Sequence, residues 1–279
     1  MAWRARLVIA AVVVCFATPS ARAQFSYDVP FVPTPYVVVE EMLRLAKVGA
    51  DDFVMDLGSG DGRILIAAAR KFGARGVGVD LDPDRIEESL YSAQLQGVSD
   101  RVTFLQQDLF KFDLSSATVI TMYLLPSVNM KLRSRLYDLK PGTRIVAHDF
   151  DLEDWQPDQK STVRKNVFLW IVPAKAGGRW RTTVALPAGE RTYDIEIRQK
   201  FQEIDGLARY DKKVAGLWNA KLSGERINFV IVDDSGSLDS NLYFDGKVSA
   251  DGMEGTIVRG VGADQKQIPW RATRLPEAK

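Results

Sequence analysis

The stretch Val54-Met55-Asp56-Leu57-Gly58-Ser59-Gly60-Asp61-Gly62-Arg63 decides the fold of this chain. It is a short apolar strand ending in an acid, then three glycines at alternate positions, then an apolar helix from Ile64 to Lys71. Glycine allows a tight turn and lets a ligand approach the backbone closely. The first turn of the helix leaves free N–H groups that point at such a ligand. The stretch therefore predicts a strand–loop–helix unit that binds a small molecule.

The spacing of these residues narrows the class of ligand. A dinucleotide-binding loop has the pattern G-x-G-x-x-G/A, but here Arg63 occupies the last position and Gly62 comes one place earlier. Asp56 would repel a pyrophosphate and would attract a ligand that carries a positively charged amine. S-adenosylmethionine (SAM) has such an amine on its methionyl group. The loop therefore favours SAM over a nicotinamide dinucleotide.

Two further acids follow apolar segments, as a nucleoside site requires. Gly76-Val77-Gly78-Val79-Asp80 ends in an acid about 20 residues beyond the loop, where a carboxylate binds ribose hydroxyls in such folds. A third predicted strand, Val102 to Leu109, contains Asp108, which can accept a hydrogen bond from an adenine amine. We expect Leu81 and Leu109, the neighbours of these acids, to contact the nucleoside as well.

Strands and helices alternate through the first half of the chain. Further strands are predicted at residues 117–126 and 143–149, with helices at 85–96 and 129–139. This alternation predicts an α/β, Rossmann-like, doubly wound and mostly parallel sheet. Ligands of such sheets bind at the carboxyl ends of the strands, where all three acids are expected.

The ordered set of Asp56, the glycine loop, Asp80 and Asp108 resembles the class I SAM-dependent methyltransferases over about residues 28 to 160. The segment Phe31-Val32-Pro33-Thr34-Pro35 and the ending His148-Asp149-Phe150 with Trp155 and Pro157 narrow this resemblance to one group. They are similar to bacterial relatives of the mitochondrial, membrane-anchored protein-lysine methyltransferases. The resemblance implies SAM as cofactor and nominates Phe31 and Thr34 as residues that close its pocket. The full set of predicted cofactor-binding residues is Phe31, Thr34, Asp56, Gly58, Ser59, Gly60, Gly62, Asp80, Leu81, Asp108 and Leu109.

The methyl acceptor is expected beyond the fourth strand, near Tyr123. Its hydroxyl or ring face could orient an amine, or Tyr123 could equally be a strand-end packing residue. Many SAM enzymes that methylate adenine or glutamine have an acid or Asn followed by Pro-Pro at this point. This chain lacks that signature, which argues against DNA-adenine methylation and leaves lysine methylation open.

His148, the only histidine, ends the fifth predicted strand beside Asp149. A histidine with a neighbouring acid could act as a base, and Tyr123, His148 and Asp149 are the catalytic candidates. Adjacent strand residues face opposite ways, so only one of His148 and Asp149 can point into a pocket. The alternative is a hydrogen-bonded pair at the strand end. With one histidine and with the only cysteine at Cys15, no metal site is predicted.

The N-terminus predicts a signal peptide over residues 1–23. A basic start is followed by the apolar run Leu7 to Thr18 and by Ala21-Arg22-Ala23 before Gln24. The run is short for a membrane span, so a periplasmic or secreted protein with no stable span after cleavage is expected. The alternative is an uncleaved N-terminal membrane anchor. Without these residues, which carry three arginines and no acid, the formal net charge changes from +1 to −2. Such a charge gives no support for nucleic-acid binding, so a protein partner is favoured.

The composition changes beyond the methyltransferase-like region. Short alternating runs separated by Gly, Asp and Pro turns predict an antiparallel barrel or sandwich. The run Val167 to Val172 could belong to either part, so the predicted domains are residues 24–172 and 173–279. Gly178-Arg179-Trp180 is similar to the opening of small ligand-binding barrels, although a tryptophan that plugs a barrel end has the same pattern.

The predicted function is in-line methyl transfer from SAM to a protein lysine amine. The alternative is a non-catalytic, exported protein that binds SAM or another nucleoside and holds its partner with the β domain.

Overall fold

The computed structural model describes residues 31–232, 240–260 and 265–276. The predicted signal peptide, Cys15 and the cleavage site before Gln24 lie outside the described residues. No helix in the described ranges is long and apolar enough to cross a membrane. The helices are α1 (Tyr36–Leu45), α2 (Arg63–Phe72), α3 (Pro83–Leu95) and α4 (Pro126–Tyr137).

The first sheet has seven strands in the order β3-β2-β1-β4-β5-β7-β6. They are β1 (Phe53–Leu57), β2 (Arg75–Asp80), β3 (Val102–Gln106), β4 (Val119–Met122), β5 (Arg144–His148), β6 (Gln159–Val163) and β7 (Lys165–Ile171). The first five are parallel, while β7 runs antiparallel to β5 and to β6. This topology confirms the Rossmann-like prediction, and the run that begins at Val167 belongs to this sheet.

Two predicted strands end earlier than the sequence suggested. β3 stops at Gln106 because the Asp108 carboxylate accepts the backbone N–H of Phe110 at 2.9 Å and turns the chain. β4 stops at Met122 because Pro126 occupies the first turn of α4. Asp108 and Tyr123 therefore lie on loops just beyond the carboxyl ends of their strands.

Apolar residues cover both faces of the sheet. One core contains α1, α2 and α3 residues together with strand residues, among them Val39, Leu65 and Phe104. The other contains α4 residues together with Trp155 and Trp170. The Trp170 indole N–H donates to the Trp155 carbonyl at 2.7 Å, which ties the loop after β5 to β7.

The second part of the chain is a closed barrel of eight antiparallel strands, one of the two β architectures that the sequence predicted. Its strands are β8 (Gly178–Leu186), β9 (Gly189–Lys200), β10 (Glu203–Tyr210), β11 (Lys213–Ser223), β12 (Arg226–Ile231), β13 (Leu242–Val248), β14 (Gly252–Arg259) and β15 (Lys266–Arg274). The predicted boundary at residue 172 falls between the end of β7 and the start of β8. Trp180 is fully buried and the Arg274 guanidinium lies 4.1 Å from its ring centroid, so Trp180 has a packing role.

The barrel meets the sheet through aromatic side chains. Phe201 stacks on Trp155 with 5.2 Å between ring centroids and packs edge-on against Tyr137 at 5.3 Å. Tyr137 is the last residue of α4, and the neighbouring contact of Gly224 is with Gly142, just before β5. Both belong to the edge of the sheet where β5 begins. The barrel is therefore attached opposite the carboxyl ends of the parallel strands.

Candidate active site

A cavity of about 470 Å³ lies at the carboxyl ends of β1 to β4. A volume of this size suits a ligand as large as a nucleoside with an amino-acid tail. Its wall is formed by the segment before α1, the glycine loop, the residues after β2, β3 and β4, and the start of α4. The predicted site residues that line it are Phe31, Thr34, Gly58, Ser59, Gly60, Asp80, Leu81, Asp108, Leu109 and Tyr123.

The glycine loop has backbone conformations that favour glycine. Gly58 and Gly60 have φ of +73° and +52°. A Cβ atom on Gly60 would lie 2.5 Å from the Phe31 ring, and one on Gly58 would lie 2.8 Å from Leu124. The N–H groups of Gly58 and Ser59 both donate to the Val79 carbonyl, at 2.9 and 3.0 Å. The loop is thus fixed against β2 with its surface open to the cavity.

Asp80 is held rigidly at the cavity wall. Its Oδ2 accepts the N–H of Gly60 at 2.9 Å, and its Oδ1 accepts the N–H of Asp82 at 3.0 Å. Each carboxylate oxygen retains a second lone pair for a ligand hydroxyl. The carboxylate therefore links the glycine loop to the start of α3 and is already oriented before a ligand binds.

Asp56 lies within the sheet and does not line the cavity. Its Oδ1 accepts the Thr121 hydroxyl at 2.6 Å, and its Oδ2 has no hydrogen-bond partner in the part of the chain that the structure describes. Burial, opposed by the Thr121 hydrogen bond and reinforced by Asp80 and Asp61, raises the pKa of Asp56 to about 7. The carboxyl that the sequence assigned to attracting an amine therefore sits behind the cavity wall.

Gly62 also lies outside the cavity lining. It has φ of +78°, and a Cβ atom there would lie 2.6 Å from Phe104 and 2.8 Å from Ser89. This glycine permits close packing of α2 against α3 and β3. Its geometry is that of a packing residue, which differs from the ligand contact predicted for it.

The three catalytic candidates occupy different positions. Tyr123 lines the cavity, whereas neither His148 nor Asp149 does. The His148 ring is buried against Tyr123, with ring centroids 3.9 Å apart. Asp149 has φ of +66° and accepts from Lys165 Nζ at 2.9 Å. Burial, opposed by Asp149 and assisted by Lys165, lowers the pKa of His148, so its imidazole is neutral at pH 7.

Two arginines that the sequence did not assign to the site hold the segment before α1. Arg63 pairs with Asp61, and its Nη1 donates to the Thr34 carbonyl at 2.9 Å. The Arg85 guanidinium lies 4.8 Å from the centroid of the Phe31 ring. The spacing of Asp61 and Arg63 indicated an ion pair, but nothing in the sequence pointed to the Thr34 carbonyl.

The arrangement fits SAM. The backbone of the glycine loop gives close access, and Asp80 and Asp108 offer carboxylate oxygens to a sugar and a base. The Ser59 hydroxyl is buried and has no partner among the described residues, so it is available to a ligand. Within the described ranges no group of three His, Cys, Asp or Glu side chains is arranged to hold a metal ion.

Comparison with known proteins points to the same part of the chain. Residues 56–159 match the model of the ANTKMT methyltransferase domain. A protein-lysine N-methyltransferase of Saccharolobus islandicus is 43% identical over 52% of this chain and 94% of its own length. An ATP synthase lysine N-methyltransferase of Mus musculus is 34% identical over 72% of this chain and 83% of its own length.

A solved structure supports both the fold and the ligand. It is described as an RNA methyltransferase from Salinibacter ruber in complex with S-adenosyl-L-homocysteine. It shares 52% identity over 52% of this chain and 95% of its own, with a TM-score of 0.51. Its ligand is the demethylated product of SAM, and SAM is therefore the cofactor of the present protein. The chain belongs to the class I SAM-dependent methyltransferases, in the family that includes these protein-lysine N-methyltransferases.

Proposed function

We propose that the protein transfers the methyl group of SAM to a lysine side chain of a protein substrate. The observation that carries this proposal is the position of Tyr123 in the cavity wall, next to Leu124 and Val128. An aromatic and apolar wall suits the aliphatic stem of a lysine, and the tyrosine hydroxyl or ring face can orient its nitrogen. The names of the relatives support lysine as the acceptor.

The residues of the chain divide the work of methyl transfer. When bound, SAM supplies an electrophilic methyl group on a sulfonium. Asp80 and Asp108 hold the nucleoside through carboxylates that backbone N–H groups have already oriented. The apolar wall around Tyr123 excludes water, and desolvation lowers the pKa of a lysine amine toward its neutral, nucleophilic form.

An RNA acceptor is less consistent with the rim of the cavity. Arg63 and Arg85 are its basic lining residues in the described part of the chain, and both form ion pairs, with Asp61 and with Glu88. An RNA-binding rim would offer unpaired cations to phosphates. The alternative of a non-catalytic nucleoside-binding protein has no support from the relatives, which are named as enzymes.

The test is transfer of label from tritiated SAM to an extract of the source cell, with and without protease or ribonuclease. We expect protease-sensitive label on a lysine, located by mass spectrometry. Asp80→Ala should lose at least a hundredfold in S-adenosylhomocysteine affinity, because several hydrogen bonds to a charged group disappear together. Ribonuclease-sensitive label would contradict the lysine proposal, as would tight cofactor binding without any label.

We further propose that the protein is exported, with residues 1–23 removed. The proposal rests on the basic start, the apolar run and the Ala21-Arg22-Ala23 site of the sequence. Mass spectrometry of the protein from its own cells should find Gln24 as the first residue. A mature chain that begins at Met1 and sediments with membranes would instead support the uncleaved anchor.

A further inference from the structure

The His148 side chain joins two parts of the cavity wall. Its Nδ1 lies 3.2 Å from the hydroxyl oxygen of Thr34, and its ring packs at 3.9 Å against the ring of Tyr123. Thr34 and Tyr123 both line the cavity. His148 does not, so it connects the segment before α1 to the end of β4 from behind the wall.

The burial of His148 restricts what the side chain can do. It is 2% exposed, and its Nε2 has no hydrogen-bond partner among the described residues. A neutral imidazole carries one N–H, so the bond between Nδ1 and the Thr34 hydroxyl is its one side-chain hydrogen bond in the described structure. Because the ring of Tyr123 separates it from the cavity lining, His148 has no direct route to a lysine nitrogen.

The lid segment, residues 31–35, has contacts of two kinds. Arg63 binds the Thr34 carbonyl and Arg85 lies over Phe31, which ties the segment to the glycine loop and to α3 on the cofactor side. The Thr34 hydroxyl instead reaches His148 and, through it, the ring that faces the acceptor. No hydrogen bond or ring contact joins Thr34 directly to Tyr123 in the described ranges.

We propose that His148 is a positioning residue that couples the lid segment to the orientation of Tyr123. Through Thr34 it holds the cofactor side of the cavity, and through ring packing it holds the acceptor side. This inference rests on the proposed function in placing the acceptor at Tyr123. It gives His148 a role other than the base that its position beside Asp149 suggested.

The first test is a double-mutant cycle in binding of S-adenosylhomocysteine, measured by calorimetry. Thr34→Val and His148→Phe should each weaken binding about fivefold, as expected for one hydrogen bond. The double variant should be no weaker than the weaker single variant, because both changes remove the same bond. An additive loss of about 25-fold would overturn the proposal. Thr183→Val, which removes a hydroxyl pair on the outer face of the barrel, is the matched control.

The second test asks whether His148 transmits the effect. Thr34→Val and Tyr123→Leu should be non-additive in S-adenosylhomocysteine binding by about threefold, and additive when His148 is replaced by Leu. A purely structural His148 would leave the two changes additive in both backgrounds. This cycle uses binding alone, so it decides the coupling even if the lysine proposal fails.

The third test separates the two halves of the histidine. His148→Asn retains a hydrogen-bonding atom near Nδ1 but loses the ring, so we expect cofactor affinity within about twofold and a tritium-transfer rate about tenfold lower at saturating SAM. His148→Phe retains the ring and should show the reverse pattern. Thermal unfolding of each variant monitors folding. Equal losses of affinity and rate in both variants, in proportion to lost stability, would contradict a positioning role.

Discussion

At the level of single residues, Asp56 shows how burial changes the role of a carboxyl group. With its pKa raised to about 7, the folded protein keeps this proton, whereas the unfolded chain releases it near the ordinary pKa of 3.8. The folded state therefore binds more protons than the unfolded state between these values. The contribution of Asp56 to stability is present at low pH and falls by roughly 4 kcal/mol as the pH rises to 7.

The variant Asp56→Asn should remove this loss, because the amide cannot ionise and still accepts the Thr121 hydroxyl. We expect its free energy of unfolding, relative to the unmodified protein, to increase steadily between pH 4 and pH 7 and then to level off. Urea unfolding across this range measures it, and the other titrating groups cancel in the difference. A relative stability that falls with rising pH would mean that Asp56 is ionised in the fold.

At the level of elements, the packing of α2 depends on Gly62. A methyl group there would collide with Phe104 and Ser89, and the positive φ adds strain to any other residue. Gly62→Ala should reduce the free energy of unfolding by about 3 kcal/mol, from strain and overpacking together. Gly97→Ala is the matched control, since Gly97 has φ of +69° and open space around it. It should cost only about 1 kcal/mol in the same denaturant titration, and equal losses would show that overpacking is not the cause.

The elements differ in how far their sequences predicted them. β1, β2, β4 and β5 are apolar runs because both faces of their sheet are covered, so their residues indicate the strand directly. β6 is polar and largely exposed at the sheet edge, and it carried no such pattern. β10, β11 and β15 mix glycine, charged residues and exposed apolar residues, so their assignment depended on pairing with neighbours.

At the level of the whole molecule, the barrel and the sheet are joined at a distance from the cavity. Phe201→Ala removes the stacking on Trp155 and the edge contact with Tyr137, and should cost about 3 kcal/mol of stability. Affinity for S-adenosylhomocysteine should stay unchanged, since no described barrel residue lines the cavity. Chemical unfolding and calorimetry check the two parts of this prediction.

Trp218→Ala provides the control for this change, because Trp218 is 62% exposed on the outside of the barrel. It should alter stability by less than about 0.5 kcal/mol. If Phe201→Ala weakened cofactor binding severalfold, the barrel would be influencing the cavity despite its attachment at the opposite edge.

The order of residues along the chain was enough to indicate a glycine loop, three acids after three strands, a parallel sheet and a SAM site. These features are local, because a turn, a strand and a helix start each depend on a few consecutive residues. The folded structure was needed to see that Asp80 and Asp108 line the cavity while Asp56 is buried behind it. It was also needed to see that His148 packs behind Tyr123 and that the barrel closes at the far edge of the sheet. The environment of a side chain depends on strand register and on residues distant in sequence, and no local pattern records those contacts.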